Sequence, residues 1–374
     1  MAGIYIHIPF CKQACYYCNF HFSTSLKKKN DMLSAFKTEL LLRKDELNNQ
    51  TIESIYFGGG TPSLLDVEDI ERLITLINID YQVSETAEIT MEANPDDLIP
   101  EKIHQLSKSP INRLSIGIQS FFDDDLKSMN RAHSSLEAKS CLEIATKAFD
   151  NITIDLIYGI PNMSLKKWNQ NLQLTFDFGI KHISSYALTV EPKTALHTFI
   201  KKGDYPRIDE DLALQHFNHL VQETEKKGLV QYEISNFGKP GYFSKHNTSY
   251  WQGKHYLGIG PSAHSFNGKQ RSWNISNNIK YIQSINQYKL PLEIEKLSQK
   301  DRFNEYVMTG FRTIWGVSLD TVEVDFGLKY KTQLLKTAEK YMDEGLLVNE
   351  NNILKTTKKG KFLADGIASE LFMI

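Results

Sequence analysis

What most constrains this chain is a strand-and-helix alternation that runs from Gly3 to Leu188. Gly3–Ile8 (GIYIHI) alternates apolar residues and reads as a strand ending at Pro9. Met32–Glu46 follows, with Leu33, Phe36 and Leu40 at helical spacing. Ile52–Phe57 is a second strand, Val67–Ile77 a helix and Glu88–Glu92 a third strand. The rhythm continues through Arg113–Gln119, the helix Leu136–Ala148, Thr153–Tyr158, the helix Leu165–Phe178 and His182–Leu188. Six such repeats predict a parallel α/β sheet with right-handed crossovers. Such a sheet gathers function at the C-terminal ends of its strands. Beyond Ala195 the rhythm changes: Asp209–Lys227 reads as a long helix, and Val230–Ile234 as a short strand. Asn236–Asn274 is rich in Gly, His and aromatic residues, and from Asp301 the pattern is mostly helical. Leu346–Lys355 looks like a hairpin turning at Asn351-Asn352. The expected domains are residues 1–200, 201–299 and 300–374.

The first strand runs into Cys11-x3-Cys15-x2-Cys18. Three thiolates on one short loop can hold three irons of a cubane cluster and leave the fourth iron open to a ligand. Zinc with a distant His is the alternative, since the chain has 11 His. Structural zinc, however, favours paired Cys-x2-Cys halves. The fourth cysteine, Cys141, falls on a helix and reads as a small buried apolar residue. This usage does not resemble a disulfide framework and implies a reducing compartment. Lys and Arg total 43 against 45 Asp and Glu, a net charge of −2 that gives no signal for nucleic acid. With no recognisable signal peptide and no run near the ~20 apolar residues of a membrane span, a soluble cytoplasmic protein is expected. After the second strand comes Gly58-Gly59-Gly60-Thr61-Pro62-Ser63. It could be a plain βα turn, or a place where bare backbone approaches a ligand.

Taken together, Tyr5-Ile6-His7-Ile8-Pro9-Phe10-Cys11-x3-Cys15-Tyr16-Tyr17-Cys18 and Gly58-Gly59-Gly60-Thr61-Pro62 resemble the radical SAM superfamily, in its HemN/HemW branch. The resemblance implies a partial (βα)6 TIM-like barrel with a mainly helical, winged-helix-like C-terminal domain. It also implies a 4Fe-4S cluster on Cys11, Cys15 and Cys18, whose open iron is chelated by S-adenosylmethionine (SAM) and which reduces it to a 5′-deoxyadenosyl radical. Residue by residue, Tyr5, Tyr17, Gly59, Gly60, Thr61 and Glu92 match a first SAM site. Gln119, Arg131 and Asp155 match residues associated with a second SAM, and Ala187 and His264 also fall on SAM positions. Each has a plainer alternative: Glu92 or Asp155 could cap a helix, and Arg131 could pair with Asp123–Asp125. Whether one SAM binds or two stays open.

Two departures separate the chain from the HemN pattern. HemN has a further cysteine two residues after the third, where this chain has Phe20, and it has an extension before the motif, where only ten residues precede Cys11. Both departures match HemW, as does His246-Asn247-x-x-Tyr250-Trp251, a motif associated with heme binding. His246 is then a candidate axial ligand, with Tyr250 and Trp251 as stacking partners; the alternative is a hydrogen-bonded structural histidine among core aromatics. The expected function is a heme chaperone carrying heme as cargo to recipient hemoproteins such as membrane-associated respiratory enzymes. An electron donor for the cluster and a homodimer are expected partners. HemN-type oxidative decarboxylation of coproporphyrinogen III, or radical chemistry on another substrate, is the alternative. A DNA-binding role for the C-terminal domain is disfavoured, because Gln333–Gly345 presents no basic recognition face.

Overall fold

The structure is a computed structural model describing residues 1–374. Its first half runs β1 (Ala2–Ile8), α1 (Lys29–Leu42), β2 (Ile52–Gly59), α2 (Val67–Asp80), β3 (Val83–Ala93), α3 (Pro100–Lys108), β4 (Arg113–Gln119), α4 (Asp123–Ser128), α5 (Ser135–Ala148), β5 (Ile152–Tyr158), α6 (Leu165–Asp177) and β6 (His182–Ala187). The six strands lie side by side in chain order and every neighbouring pair is parallel. β4 is buried at every position, while β1 and β5 are buried everywhere except Tyr5 and Asp155. Continuous burial is what a sheet covered on both faces requires. The exceptions mark residues that face an internal cavity.

The sheet does not close on itself. The chain continues through α7 (Ala195–Lys202), α8 (Glu210–Lys226), β7 (Val230–Gln231), β8 (Asn236–Gly238), α9 (Lys245–Trp251), β9 (His255–Ile259), β10 (His264–Phe266), β11 (Gln270–Asn274), α10 (Asn278–Asn286) and β12 (Leu292–Lys296). β8 pairs antiparallel with β6, and β9 pairs parallel with β1, so the barrel is partial and extended at both edges. The Gly- and aromatic-rich stretch therefore contributes strands to the main sheet, which composition alone does not disclose.

A buried ion pair pins the β9–β11 extension to α1. Glu39 and Arg43, one turn apart and shielded from solvent, meet at 3.0 Å. Arg43 also donates to the Gly258 carbonyl (2.8 Å) and Ser265 Oγ (2.9 Å). Glu39 accepts from Gly260 N (2.9 Å), Asn274 Nδ2 (2.7 Å) and Tyr281 Oη (2.5 Å). Every arm of both groups has a partner, the condition under which charge can be buried.

The remaining residues form α11 (Gln299–Phe311), β13 (Val317–Ser318), α12 (Leu319–Phe326), α13 (Leu328–Asp343), β14 (Leu347–Glu350), β15 (Ile353–Thr356) and α14 (Ala364–Glu370). They pack a separate apolar core around Phe303, Phe311 and Leu354, distinct from the one that lines the large sheet. β14 and β15 make the expected hairpin, and Asn351 and Asn352 both take positive φ (53° and 62°), as a two-residue turn demands.

Arg43→Ala leaves the Glu39 carboxylate buried without its counter-charge, and should cost about 3–5 kcal/mol of stability. The double variant Glu39→Gln/Arg43→Met should cost less than that single one. Chemical denaturation of the three proteins tests the ordering, and equal losses would contradict it.

Candidate functional site

The C-terminal ends of β1, β2 and β3 meet around the cysteine loop. Gly60 N donates to the Ile8 carbonyl (2.8 Å) and Thr61 N to the Phe10 carbonyl (2.7 Å), splicing the turn after β2 onto the chain entering Cys11. A Cβ on Gly60 would stand 2.5 Å from the Phe10 carbonyl oxygen, so only glycine permits this contact. The far side of the loop is tied down by Gln13, whose Nε2 donates to the Asn130 carbonyl (2.9 Å) and Oδ1 (2.8 Å). Asn130 Nδ2 donates in turn to the Ala14 carbonyl (2.8 Å), and Lys12 pairs with Asp96 and Asp97 after β3.

These contacts set the loop over a cavity of about 530 Å³. Cys11, Cys15 and Cys18 line it together with Tyr5, Tyr17, Gly59, Gly60, Thr61, Glu92, Gln119, Arg131, Asp155 and Ala187, and with His246 and Tyr250. Glu92 accepts from Tyr56 Oη (2.8 Å) and Gly59 N (3.2 Å) and stands at the end of β3. Neither Glu92 nor Asp155 caps a helix. Burial raises the pKa of Glu92, and burial followed by the Glu92 charge pushes Asp155 up to about 7. Arg131 is not paired with Asp123–Asp125. Its Nη1 donates to Cys15 Sγ (3.4 Å) and its Nη2 to Asn94 Oδ1 (2.6 Å) and the Gly117 carbonyl (2.9 Å).

Two sequence candidates stand elsewhere. His264 is exposed and stacks on Trp273 across the β10–β11 pair, with ring centroids 5.7 Å apart, and it does not line the cavity. Trp251 lies under the guanidinium of Arg312 (5.2 Å), which is also bound to Asp365, so this ring serves the contact with the C-terminal region. His246 is in the cavity wall, but both ring nitrogens are engaged: Nδ1 with Ser54 Oγ (2.8 Å) and Nε2 with Tyr250 Oη (2.7 Å). Its ring stacks on Tyr56 at 4.9 Å, and burial pushes its pKa down to about 3, so it is neutral. In this arrangement His246 is a hydrogen-bonded wall residue, with the Tyr250 hydroxyl occupying Nε2.

Sequence reasoning missed Tyr56, Asn94 and Asn130. Tyr56 lies inside an apolar strand run and looks like core. Asn94-Pro95 directly after β3 carried a turn signal, placed where parallel sheets gather function.

The donor set fits a cluster. Burial pushes the Cys11 thiol up to about 11 and raises Cys18, so these thiolates are ones a metal creates by displacing protons. No three His, Cys, Asp or Glu side chains converge tightly enough for a single ion; a cubane asks for no such convergence, since each thiolate binds a different iron. Two shielded carboxylates, Glu92 and Asp155, face the same space and favour a cationic ligand such as the ammonium or sulfonium of SAM.

Comparisons with known proteins identify the chain's family and its fold. Residues 5–174 match the model of the radical SAM superfamily, and residues 297–363 that of the HemN C-terminal domain. The chain is 31% identical over 371 residues to the heme chaperone HemW of Bacillus subtilis, covering 98% of each chain. It is 30% identical to the heme chaperone HemW of Mycobacterium tuberculosis, covering 99% of this chain and 94% of that one. Among solved structures, coproporphyrinogen III oxidase (HemN) of Escherichia coli superposes with a TM-score of 0.86 at 22% identity, covering 100% of this chain and 90% of that one.

The folded chain keeps the Asp155 proton to about pH 7, whereas an unfolded aspartate loses it near roughly 3.9. Between those values the folded state binds more protons, so this group's contribution to stability falls as pH rises. Asp155→Asn removes the penalty. Without added SAM, the gain in Tm over wild type should be larger at pH 8 than at pH 5; an equal gain at both would refute the shift.

Proposed function

The chain belongs to the family of the heme chaperone HemW within the radical SAM superfamily, and on that premise we propose that it binds heme and delivers it to hemoproteins. The observation that carries this function is the end-to-end likeness to curated heme chaperones, with 98% of both chains aligned in one case. The HemN likeness speaks for the fold alone. Phe20, where HemN has a further cysteine, is 67% exposed and lines the cavity mouth, so the position offers an apolar surface in place of a thiolate.

A 4Fe-4S cluster held by Cys11, Cys15 and Cys18 supplies, when bound, one-electron reduction of a ligand on its open iron. The chain's own residues then divide the remaining work. Glu92 and Asp155 hold the cationic groups of SAM. Gly59, Gly60 and Thr61 keep the turn close to the cluster loop, and Gln119 and Ala187 complete the walls. Tyr17 covers the ligand from the loop side, with its hydroxyl 3.5 Å from Arg131 Nη1. His246 and Tyr250 stand in the same chamber, so heme iron reaches Nε2 of His246 when the Tyr250 hydroxyl releases it. Recipient hemoproteins such as membrane-associated respiratory enzymes, an electron donor, a homodimeric state and a cytoplasmic location complete the proposal. No helix is long and apolar enough to cross a membrane.

Anaerobically reconstituted protein titrated with heme should show a saturable change in the heme absorption spectrum, altered or weakened in His246→Ala. Incubation with coproporphyrinogen III and SAM should leave the porphyrinogen unchanged; protoporphyrinogen in the product would establish HemN-type decarboxylation instead. Replacing any of Cys11, Cys15 or Cys18 by Ser should lower bound iron, and iron content unchanged in all three would remove the cluster from the proposal.

A further inference from the structure

Two of the three cluster thiols receive a hydrogen bond from a side chain that is not a ligand. Thr61 Oγ1 donates to Cys11 Sγ at 3.5 Å, and Arg131 Nη1 to Cys15 Sγ at 3.4 Å. Both donors are held by one residue. Asn94 Nδ2 donates to Thr61 Oγ1 at 3.3 Å, which commits the hydroxyl hydrogen of Thr61 to the sulfur. Asn94 Oδ1 accepts from Arg131 Nη2 at 2.6 Å. A continuous chain of hydrogen bonds thus runs from Cys11 through Thr61, Asn94 and Arg131 to Cys15.

The surroundings fix this chain in place. Asn94 follows the last residue of β3, and its backbone N–H donates to Ser63 Oγ at 3.2 Å. Gly117 leaves room for the guanidinium: a Cβ there would lie 3.1 Å from Arg131 Nη2 and 3.4 Å from Asn94 Oδ1. Arg131 forms no ion pair with any carboxylate, and its buried Nε has no partner. A buried cation with no carboxylate paired to it is costly, and the Cys15 sulfur is the group its Nη1 contacts directly on the loop side.

We propose that Asn94 is a positioning residue for the iron–sulfur cluster, orienting Thr61 toward Cys11 and Arg131 toward Cys15 so that both donors raise the cluster's reduction potential. The added electron makes the reduced cluster more negative, and hydrogen bonds and positive charge at its sulfurs stabilise that state. The inference rests on the cluster assignment made above and assigns a role to a residue that reaches the cysteines only through Thr61 and Arg131.

The test is a potentiometric titration of the full chain, reconstituted anaerobically and reduced stepwise with dithionite, with the reduced cluster followed by its electron paramagnetic resonance signal. At matched iron content, Asn94→Ala and Thr61→Val should each lower the midpoint potential. The double variant Thr61→Val/Asn94→Ala should shift it by less than the sum, because part of the Asn94 effect runs through the Thr61 hydroxyl. An unchanged potential in Asn94→Ala overturns the proposal. If that variant fails to take up iron, Thr61→Val decides alone, with an unchanged potential again overturning it. Failure of the wild-type chain to form any cluster would instead remove the cluster assignment itself, a distinct result.

Discussion

Two backbone hydrogen bonds hold the functional end of this molecule together: Gly60 N to the Ile8 carbonyl and Thr61 N to the Phe10 carbonyl. They join the turn after β2 to the chain leaving β1, and so fix the entry into the cysteine loop against the glycine turn. Each peptide group would otherwise be a buried polar group without a partner. The contact needs Gly60 to have no side chain, and it sets Thr61 where its hydroxyl meets Cys11. From this junction the rest of the cavity follows, because β3, β4 and β5 bring Glu92, Gln119 and Asp155 to the same end of a parallel sheet.

Around that junction, polar groups are buried in pairs and chains, each with a structural consequence. The Glu39–Arg43 pair anchors the β9–β11 extension, whose Gly260 packs behind β1 close to the His7 carbonyl. Glu92 and Asp155 lie in the cavity as two shielded carboxylates that burial keeps above their usual range. Arg131 brings positive charge to the loop side of the same space. The chamber therefore offers acid on its sheet wall and a cation beside the thiols, a polarity suited to a zwitterionic ligand held over a cluster.

Legibility in the sequence followed the strength of local signals. The strand runs β1, β4 and β5 were readable because burial on both faces leaves long apolar stretches, whereas Asp155 within TIDLIY was singled out only by the family resemblance. The hairpin turn at Asn351-Asn352 was readable because few residues tolerate positive φ twice in succession. Helix α3 and the strands between Asn236 and Asn274 were not. Their segments are short and mixed in composition, and their partners lie far away in sequence: β9 against β1, and β8 against β6.

The sequence by itself determined which groups are on offer: three cysteines at fixed spacing, a glycine turn after the second strand, and an apolar Phe20 two residues after the third cysteine. Only the tertiary structure decided which way the other candidates point. His246 and Tyr250 are four residues apart on α9 and share one face, whereas Trp251 is five from His246 and is turned toward Arg312, as 3.6 residues per turn requires. One short helix cannot aim all three rings at one cavity. Asn94 shows the same division from the other side: nothing local in an Asn-Pro turn says that its amide links the donors to Cys11 and Cys15, because Thr61 and Arg131 reach it only once β2, β3 and the segment after β4 are assembled.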